Sequence, residues 1–273
     1  MSSERFGVID ADVVLRSVDG RDFHVHKSIL SIASPVFRNM FTFPQPPSPK
    51  PSSIPVVNVS EAGNVLGVFL RCLYPVSKPV VQDFGLLEAL FVAAEKYETD
   101  IVLEMVKSWL VIPKNLRTDP LRAYAIACTS TTLDKQAKVA AKWMTFDNID
   151  SASLDTIGRL TTADHHRLVV YLIKREKEAN LVVNEDSWKN FYDNCACMAE
   201  TKAEFREGVG KVIRDAFASD PLLTTERATV LAFKQLVGVR SCHRHTCSLL
   251  TKGEEHAKEL VQRLVQVSNK LLW

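Results

Sequence analysis

The chain has 273 residues, which is enough for one large domain or two ordinary ones. Hydrophobic residues make up 46% and charged residues 24%, as in an average soluble globular protein, and the net charge is +2. Residues 1–112 carry 10 Lys and Arg against 12 Asp and Glu, and the remainder carries 24 against 20. Neither part has the basic excess that nucleic-acid binding requires, so the sequence predicts other partners.

Membrane insertion and secretion are also disfavoured. No apolar run approaches the roughly 18 residues of a membrane span, and the first residues, Met1–Arg5, lack the apolar core of a signal peptide. We therefore expect an intracellular protein, cytoplasmic or nuclear, that is not bound to a membrane. In that compartment the six cysteines are expected to be thiols or metal ligands rather than disulfides.

The first recognisable element is a β-hairpin. The run Val13–Val18 is apolar and β-branched, which predicts a buried strand. Asp19-Gly20 is a strong two-residue turn signal. Phe23, Val25 and the aliphatic part of Lys27 then alternate along the chain. This alternation predicts a second, antiparallel strand.

The spacing of apolar residues then changes from two to about 3.6, which predicts an amphipathic helix. Its single apolar stripe consists of Ile29, Leu30, Ala33, Val36, Phe37 and Met40. The sequence thus predicts a hairpin that runs directly into one helix.

These residues resemble the signature of the BTB/POZ domain, a protein-interaction module. The matching residues are Asp12, Phe23, Val25, His26, Lys27, Leu30, Ser34, Phe37, Met40 and Phe41. The similarity continues through Val56–Val59, which looks like the third strand, then Phe69–Tyr74 and Ala93–Tyr97. The resemblance implies an α+β domain over residues 1–112, in which a small sheet is capped by helices.

A proline-rich loop interrupts this domain at residues 44–55, which hold six of the chain's twelve prolines. Proline fixes φ and lacks a backbone donor, so this stretch is expected to be an exposed, extended loop. It is either a tolerated insertion, which we favour, or a ligand for a proline-recognising domain.

Residues 113–273 are predicted to be all-α. Strand patterning is absent there and glycine is scarce in the apolar segments. Helices are predicted at about 120–130, 133–145, 153–160, 163–180, 185–198, 201–218, 225–237 and 254–272. For the helix at 163–180 the predicted core stripe is Leu168, Val169, Leu172 and Ile173. This arrangement resembles fungal family members in which a BTB domain is followed by a helical extension.

Two histidines of the second strand have a functional and a structural interpretation. His24 and His26 share one strand face and could bind a metal, but the resemblance implies that His26 is a structural residue at the strand–helix junction.

Asp12 and Lys27 match the charged pair that lines a groove in transcription-factor members of the family. We favour a folding ion pair, in which each charge stabilises the ionised form of the other.

A zinc-stabilised binding module in the C-terminal half is an alternative reading. Cys195 and Cys197 lie in one segment, and Cys242, His245 and Cys247 lie about 45 residues later. Tetrahedral Cys/His coordination suits structural zinc. However, a Cys-x-Cys pair on a helix directs its thiols apart, so buried cysteines and a polar loop are the favoured reading and no metal is predicted.

The resemblance implies a non-catalytic adaptor or scaffold that binds a cullin or associates with itself. Only eleven residues precede Asp12, so a homodimer with swapped N-termini is doubtful. Cullin-binding members carry an apolar-x-Glu step after the Met-Phe pair, whereas this chain has Phe43-Pro44-Gln45 and no acidic residue before Val56. Cullin affinity is therefore expected to be weakened or absent.

No catalytic residue and no cofactor are predicted. The sequence has no phosphate-binding Gly-x-x-x-x-Gly-Lys-Ser/Thr, no Gly-x-Ser-x-Gly and no His-Glu-x-x-His. Cys72 and Cys128 lie on apolar stripes and are expected in the core. The sequence therefore favours a protein that binds other proteins over an enzyme.

Overall fold

The computed structural model describes residues 4–5, 10–43 and 54–184, together with single positions between 259 and 271. The chain divides into two compact units, Met1–Thr118 and Asp119–Trp273. The helix Pro113–Thr118 belongs to the first unit. The domain boundary expected after residue 112 stays a prediction.

The first unit contains a small mixed sheet. Its strands are β1 (Glu4–Arg5), β2 (Val13–Arg16), β3 (Asp22–Val25) and β4 (Val56–Asn58). The strand order is β1-β3-β2-β4. The β2–β3 pair is antiparallel, as the hairpin pattern predicts, whereas β1 runs parallel to β3 and β4 runs parallel to β2.

The hairpin is shorter than its sequence pattern predicts. β2 ends at Arg16, and Val18 lies in the turn with 71% of its surface exposed. Lys27 does not continue the second strand but begins the first helix. Gly20 has φ +76°, a conformation that glycine adopts without steric cost, and this closes the turn.

The turn of the hairpin is tied to the third helix of the unit. Asp19 Oδ1 accepts hydrogen bonds from Ser17 Oγ at 2.6 Å and from the backbone N–H of Gly63 at 2.7 Å. These bonds lower the pKa of Asp19. Gly63 is the first residue of that helix, so a carboxylate from the hairpin satisfies one of its free N–H groups.

The described part of the first unit also has six helices. They are α1 (Lys27–Ala33), α2 (Pro35–Thr42), α3 (Gly63–Leu73), α4 (Phe84–Lys96), α5 (Asp100–Leu110) and α6 (Pro113–Thr118). The prediction of one helix after the hairpin is wrong. Ser34 has extended backbone angles, φ −143° and ψ 119°, and separates α1 from α2.

The second unit is helical in its described part. Its helices are α7 (Pro120–Ala127), α8 (Asp134–Trp143), α9 (Phe146–Asp150), α10 (Leu154–Gly158) and α11 (Thr162–Asn184), with a short 3-10 turn at Thr131–Leu133. Asp119 caps α7 and Pro120 is in its first turn, at the start of the helix predicted at about 120–130. The helices predicted beyond residue 184 lie outside the described residues, except that positions 259, 262, 263, 266 and 270 are helical.

The predicted core stripe of α11 is partly wrong. Leu168 and Leu172 are buried, but Ile173 is 53% exposed and Tyr171 and Arg175 are buried instead. The Arg175 guanidinium donates to the backbone carbonyls of Lys142 and Met144, at the end of α8. Burial lowers the pKa of Arg175. A buried cation that serves as a cap for α8 explains why a charged residue occupies the apolar face.

The fold class inferred from the sequence is confirmed for the described residues: a small mixed sheet with helices, followed by a helical region. None of the described helices is long and apolar enough to cross a membrane.

Candidate functional site

The signature residues fall into a buried and a surface group. Phe23, Leu30, Ser34 and Phe37 are at most 1% exposed. Their side chains fill the interior between the sheet and the helices, so they hold the domain together and cannot contact a partner directly. The surface group consists of Asp12, Lys27, Met40, Phe41 and Phe43, which are exposed or half-buried.

Ser34 starts α2 and also joins it to the end of α4. Its Oγ accepts from the backbone N–H of Phe37 at 3.1 Å and donates to the carbonyl of Tyr97 at 2.5 Å. The rings of Phe37 and Tyr97 stack with centroids 4.5 Å apart. The serine and the phenylalanine of the signature therefore position α2, and with it the residues at its C-terminal end.

A carboxylate that sequence reasoning missed completes this cluster. Glu61 has a side chain only 10% exposed, accepts from Tyr97 Oη at 2.6 Å and from Lys96 Nζ at 2.8 Å. Burial alone would raise the pKa of Glu61, but the hydrogen bonds from Lys96 and Tyr97 outweigh it and lower the pKa. No sequence signal reports this contact, because its partners lie 35 and 36 residues away.

Asp12 and Lys27 come together, but through the backbone of Lys27. Asp12 Oδ1 accepts from the backbone N–H of Lys27 at 2.7 Å, at the first position of α1. Among the described residues the two side chains form no ion pair. The Lys27 ammonium lies 5.9 Å from the centroid of the Phe41 ring instead. Asp12 thus serves as a cap for α1, which leaves Lys27 at the surface next to Phe41.

His26 lies at the junction of β3 and α1 and bonds to the end of α3. Its backbone N–H donates to Tyr74 Oη at 2.8 Å, and its Nδ1 lies 3.1 Å from the same oxygen. Asp10 Oδ1 lies 3.4 Å from its Nε2. His24 Nδ1 is buried and has no hydrogen-bond partner in the part of the chain that the structure describes. These contacts give His26 a structural place in the fold.

The C-terminal end of α2 carries an apolar surface, which we call the docking patch and define as Met40, Phe41 and Phe43. Phe43 is 67% exposed. Phe41 is half-buried, and its ring stacks on that of Phe37 with centroids 6.0 Å apart. The patch is therefore an apolar surface with the Lys27 ammonium beside the Phe41 ring. Gln45, which follows it, lies outside the described residues.

The described residues contain no group of three or more His, Cys, Asp or Glu side chains that could hold a metal ion. Cys72 is buried and Cys128 half-buried, both as thiols, and burial raises the pKa of each to about 11. Such thiols are poor nucleophiles. The zinc candidates Cys195, Cys197, Cys242, His245 and Cys247 lie outside the described residues.

Comparison with known families settles the nature of the first unit. The family model of the BTB/POZ domain matches residues 6–111. Residues 6–111 form a BTB/POZ domain. The recognition made from the signature is confirmed for this part of the chain, whereas its likeness to fungal members stays a prediction. No curated protein matches the chain.

A BTB/POZ domain is a protein-interaction module, and the arrangement of its residues here agrees with that role. The buried signature residues pack α1 and α2 into the core of the domain. The signature residues at the surface lie near the start of α1 and the end of α2. The chemistry available at the docking patch is apolar burial, an aromatic ring and a cation. These are the groups that build the energetic centres of protein interfaces.

Proposed function

We propose that the chain is a non-catalytic adaptor or scaffold, cytoplasmic or nuclear, whose BTB/POZ domain binds other proteins through the docking patch. The observation that carries this proposal is the exposure of Phe43, at 67%, next to half-buried Met40 and Phe41. A partner that covers this aromatic side chain would remove a large apolar surface from water.

A cullin scaffold is one partner class implied by the resemblance, with a substrate held by the rest of the chain. The neutral Gln45 in place of an acidic residue argues for weak cullin binding. A charge-assisted hydrogen bond is about twice as strong as a neutral one, so the difference should amount to roughly 1 kcal/mol, or about fivefold in affinity.

Isothermal titration of the full chain with a cullin N-terminal domain tests this step. We expect weak or undetectable binding for the wild type and binding roughly fivefold tighter for Gln45→Glu. The matched control is Gln45→Ala, which should not improve on the wild type. Tight binding by the wild type that is unaffected by Gln45→Ala would refute the role given to Gln45.

Self-association is the other use implied by the resemblance, and it does not require an acidic residue at position 45.

The alternative of a zinc-stabilised module rests on the sequence pattern of the C-terminal half. Metal analysis of the purified chain decides it: stoichiometric zinc that is lost in Cys247→Ser would support that alternative.

A further inference from the structure

An exposed arginine bridges the first two helices of the BTB/POZ domain. Arg38 lies on α2, and its Nε donates to the backbone carbonyl of Ser31, in the last turn of α1, at 2.9 Å. The last carbonyls of a helix have no partner within that helix, so this bond satisfies one of them. The bond therefore holds the Arg38 guanidinium at the end of α1, although the residue is exposed.

This anchoring uses only the Nε–H donor of the guanidinium. The two Nη groups of Arg38 have no hydrogen-bond or ion-pair partner within the described ranges of the chain. The planar fork of an arginine matches a carboxylate, which it binds through two parallel hydrogen bonds. The remaining donors of Arg38 are therefore available to a carboxylate from outside the domain.

The two helices supply no carboxylate of their own. No Asp or Glu occurs from Phe23 to Ser60, whereas the same span contains Lys27, Arg38 and Lys50. Both helices are thus cationic, and an anionic group that approaches them meets attraction from Lys27 and Arg38 and no repulsion from either helix. The charge of this surface favours an acidic partner.

An apolar side chain lies next to the anchored guanidinium. Ile32 directly follows Ser31, whose carbonyl binds Arg38, and it is 81% exposed. Burial of an aliphatic side chain supplies binding energy, whereas a guanidinium discriminates between a carboxylate and a neutral group. A partner that covers this surface therefore needs an apolar and an anionic side chain close together.

We propose that Ile32 and Arg38, which we call the α1–α2 site, bind a segment of another protein in which an acidic residue stands beside an aliphatic one. A phosphate-bearing nucleic acid is disfavoured, because the chain has a net charge of only +2. The α1–α2 site contains no residue of the docking patch. It is therefore a second contact surface, and its test is separate from that of the docking patch.

NMR titration of the full chain, labelled with ¹⁵N, tests the α1–α2 site with two defined probes. One is the tripeptide acetyl-Leu-Glu-Leu-amide, and the other is acetyl-Leu-Gln-Leu-amide, which has the same shape without the charge. The acidic peptide should shift the resonances of the Ile32 amide and of Arg38 Nε, with a Kd on the order of 1 mM. The neutral peptide should bind about tenfold more weakly.

Variants of the two residues separate the contribution of charge from that of apolar contact. Arg38→Gln should bind the acidic peptide about tenfold more weakly than the wild type does, and no better than the neutral one. Ile32→Ser should weaken the binding of both peptides. The matched control is Arg117→Gln, which removes the same charge from an exposed position of α6 and should bind like the wild type.

Equal binding of the two peptides by the wild type would overturn the proposal, and this comparison needs no variant. Equal binding of the acidic peptide by the wild type and by Arg38→Gln would overturn it as well. So would inorganic phosphate that shifts the Ile32 and Arg38 resonances more than the acidic peptide does at the same concentration, because the site would then select phosphate.

Discussion

Glu61 illustrates how single residues outside the signature hold the BTB/POZ domain together. Its carboxylate receives the Tyr97 hydroxyl and the Lys96 ammonium, and the Tyr97 ring stacks on Phe37. The phenylalanine of the signature is thus kept in place by a carboxylate that follows β4. A change at Glu61 should weaken the domain without touching the docking patch.

The lowered pKa of Glu61 predicts a pH-dependent contribution to stability. A carboxyl whose pKa is lowered by folding stabilises the native state above its unfolded pKa of about 4.3, and this stabilisation is lost as the pH falls through the folded pKa. Glu61→Gln should therefore be less stable than the wild type by about 1 kcal/mol at pH 7, and the gap should narrow below about pH 4. Urea unfolding at several pH values measures both free energies.

A suitable control for Glu61→Gln is Glu104→Gln, in the same domain. Glu104 pairs with Lys107 at 2.7 Å, but its side chain is 70% exposed, and exposed pairs contribute little. Its free energy of unfolding should match the wild type at every pH. A gap for Glu61→Gln that is equally large at pH 7 and pH 3 would contradict the role of its charge.

The break between α1 and α2 shows what the sequence predicts at the level of elements and what it does not. The apolar stripe continues across the break, because Leu30 and Phe37 are seven residues apart and both fully buried. The stripe alone therefore predicts one helix. The signal against it was present: Ser34-Pro35 pairs a capping residue with a proline, which disfavours helical angles at the preceding residue.

Ser34→Ala tests whether this break is held by the buried hydroxyl. The substitution removes a helix cap, at a cost of about 1 kcal/mol, and an interior bond to the Tyr97 carbonyl, at a further 1 kcal/mol or so. Asp83→Ala removes only an exposed cap, the bond to the N–H of Leu86, and should cost about 1 kcal/mol. Urea unfolding of the full chain measures both. An equal loss for the two variants would contradict the role assigned to the Ser34–Tyr97 bond.

Among the other elements, those with a local sequence pattern were predictable, whereas features that depend on tertiary contacts were not. The hairpin was predictable from its period and turn signals, and β4 from the resemblance. β1 was not, because a strand of two residues has no period. Nor was the burial of Arg175, because its partners are carbonyls on another helix. Periodicity reports which face is apolar, but not which polar groups the fold brings to it.

At the scale of the whole molecule, the first unit presents the surface that we propose for a partner protein. The docking patch at the end of α2 is apolar with a cation at its edge, and it suits the side chains of another protein. The signature predicted the domain type, whereas the strand order of the sheet emerged only from the structure.

Quantitative affinity purification from the native cell, with the full chain as bait, is the measurement that tests the docking patch as a protein-binding surface. Phe43→Asp places a charge at a position that is 67% exposed, and Val18→Asp does the same at a position in this domain that is 71% exposed. Proteins bound by the wild type should be lost from Phe43→Asp and retained by Val18→Asp, because only the former charge would be buried on binding. Recovery of the same proteins in equal amounts with all three baits would contradict the proposal.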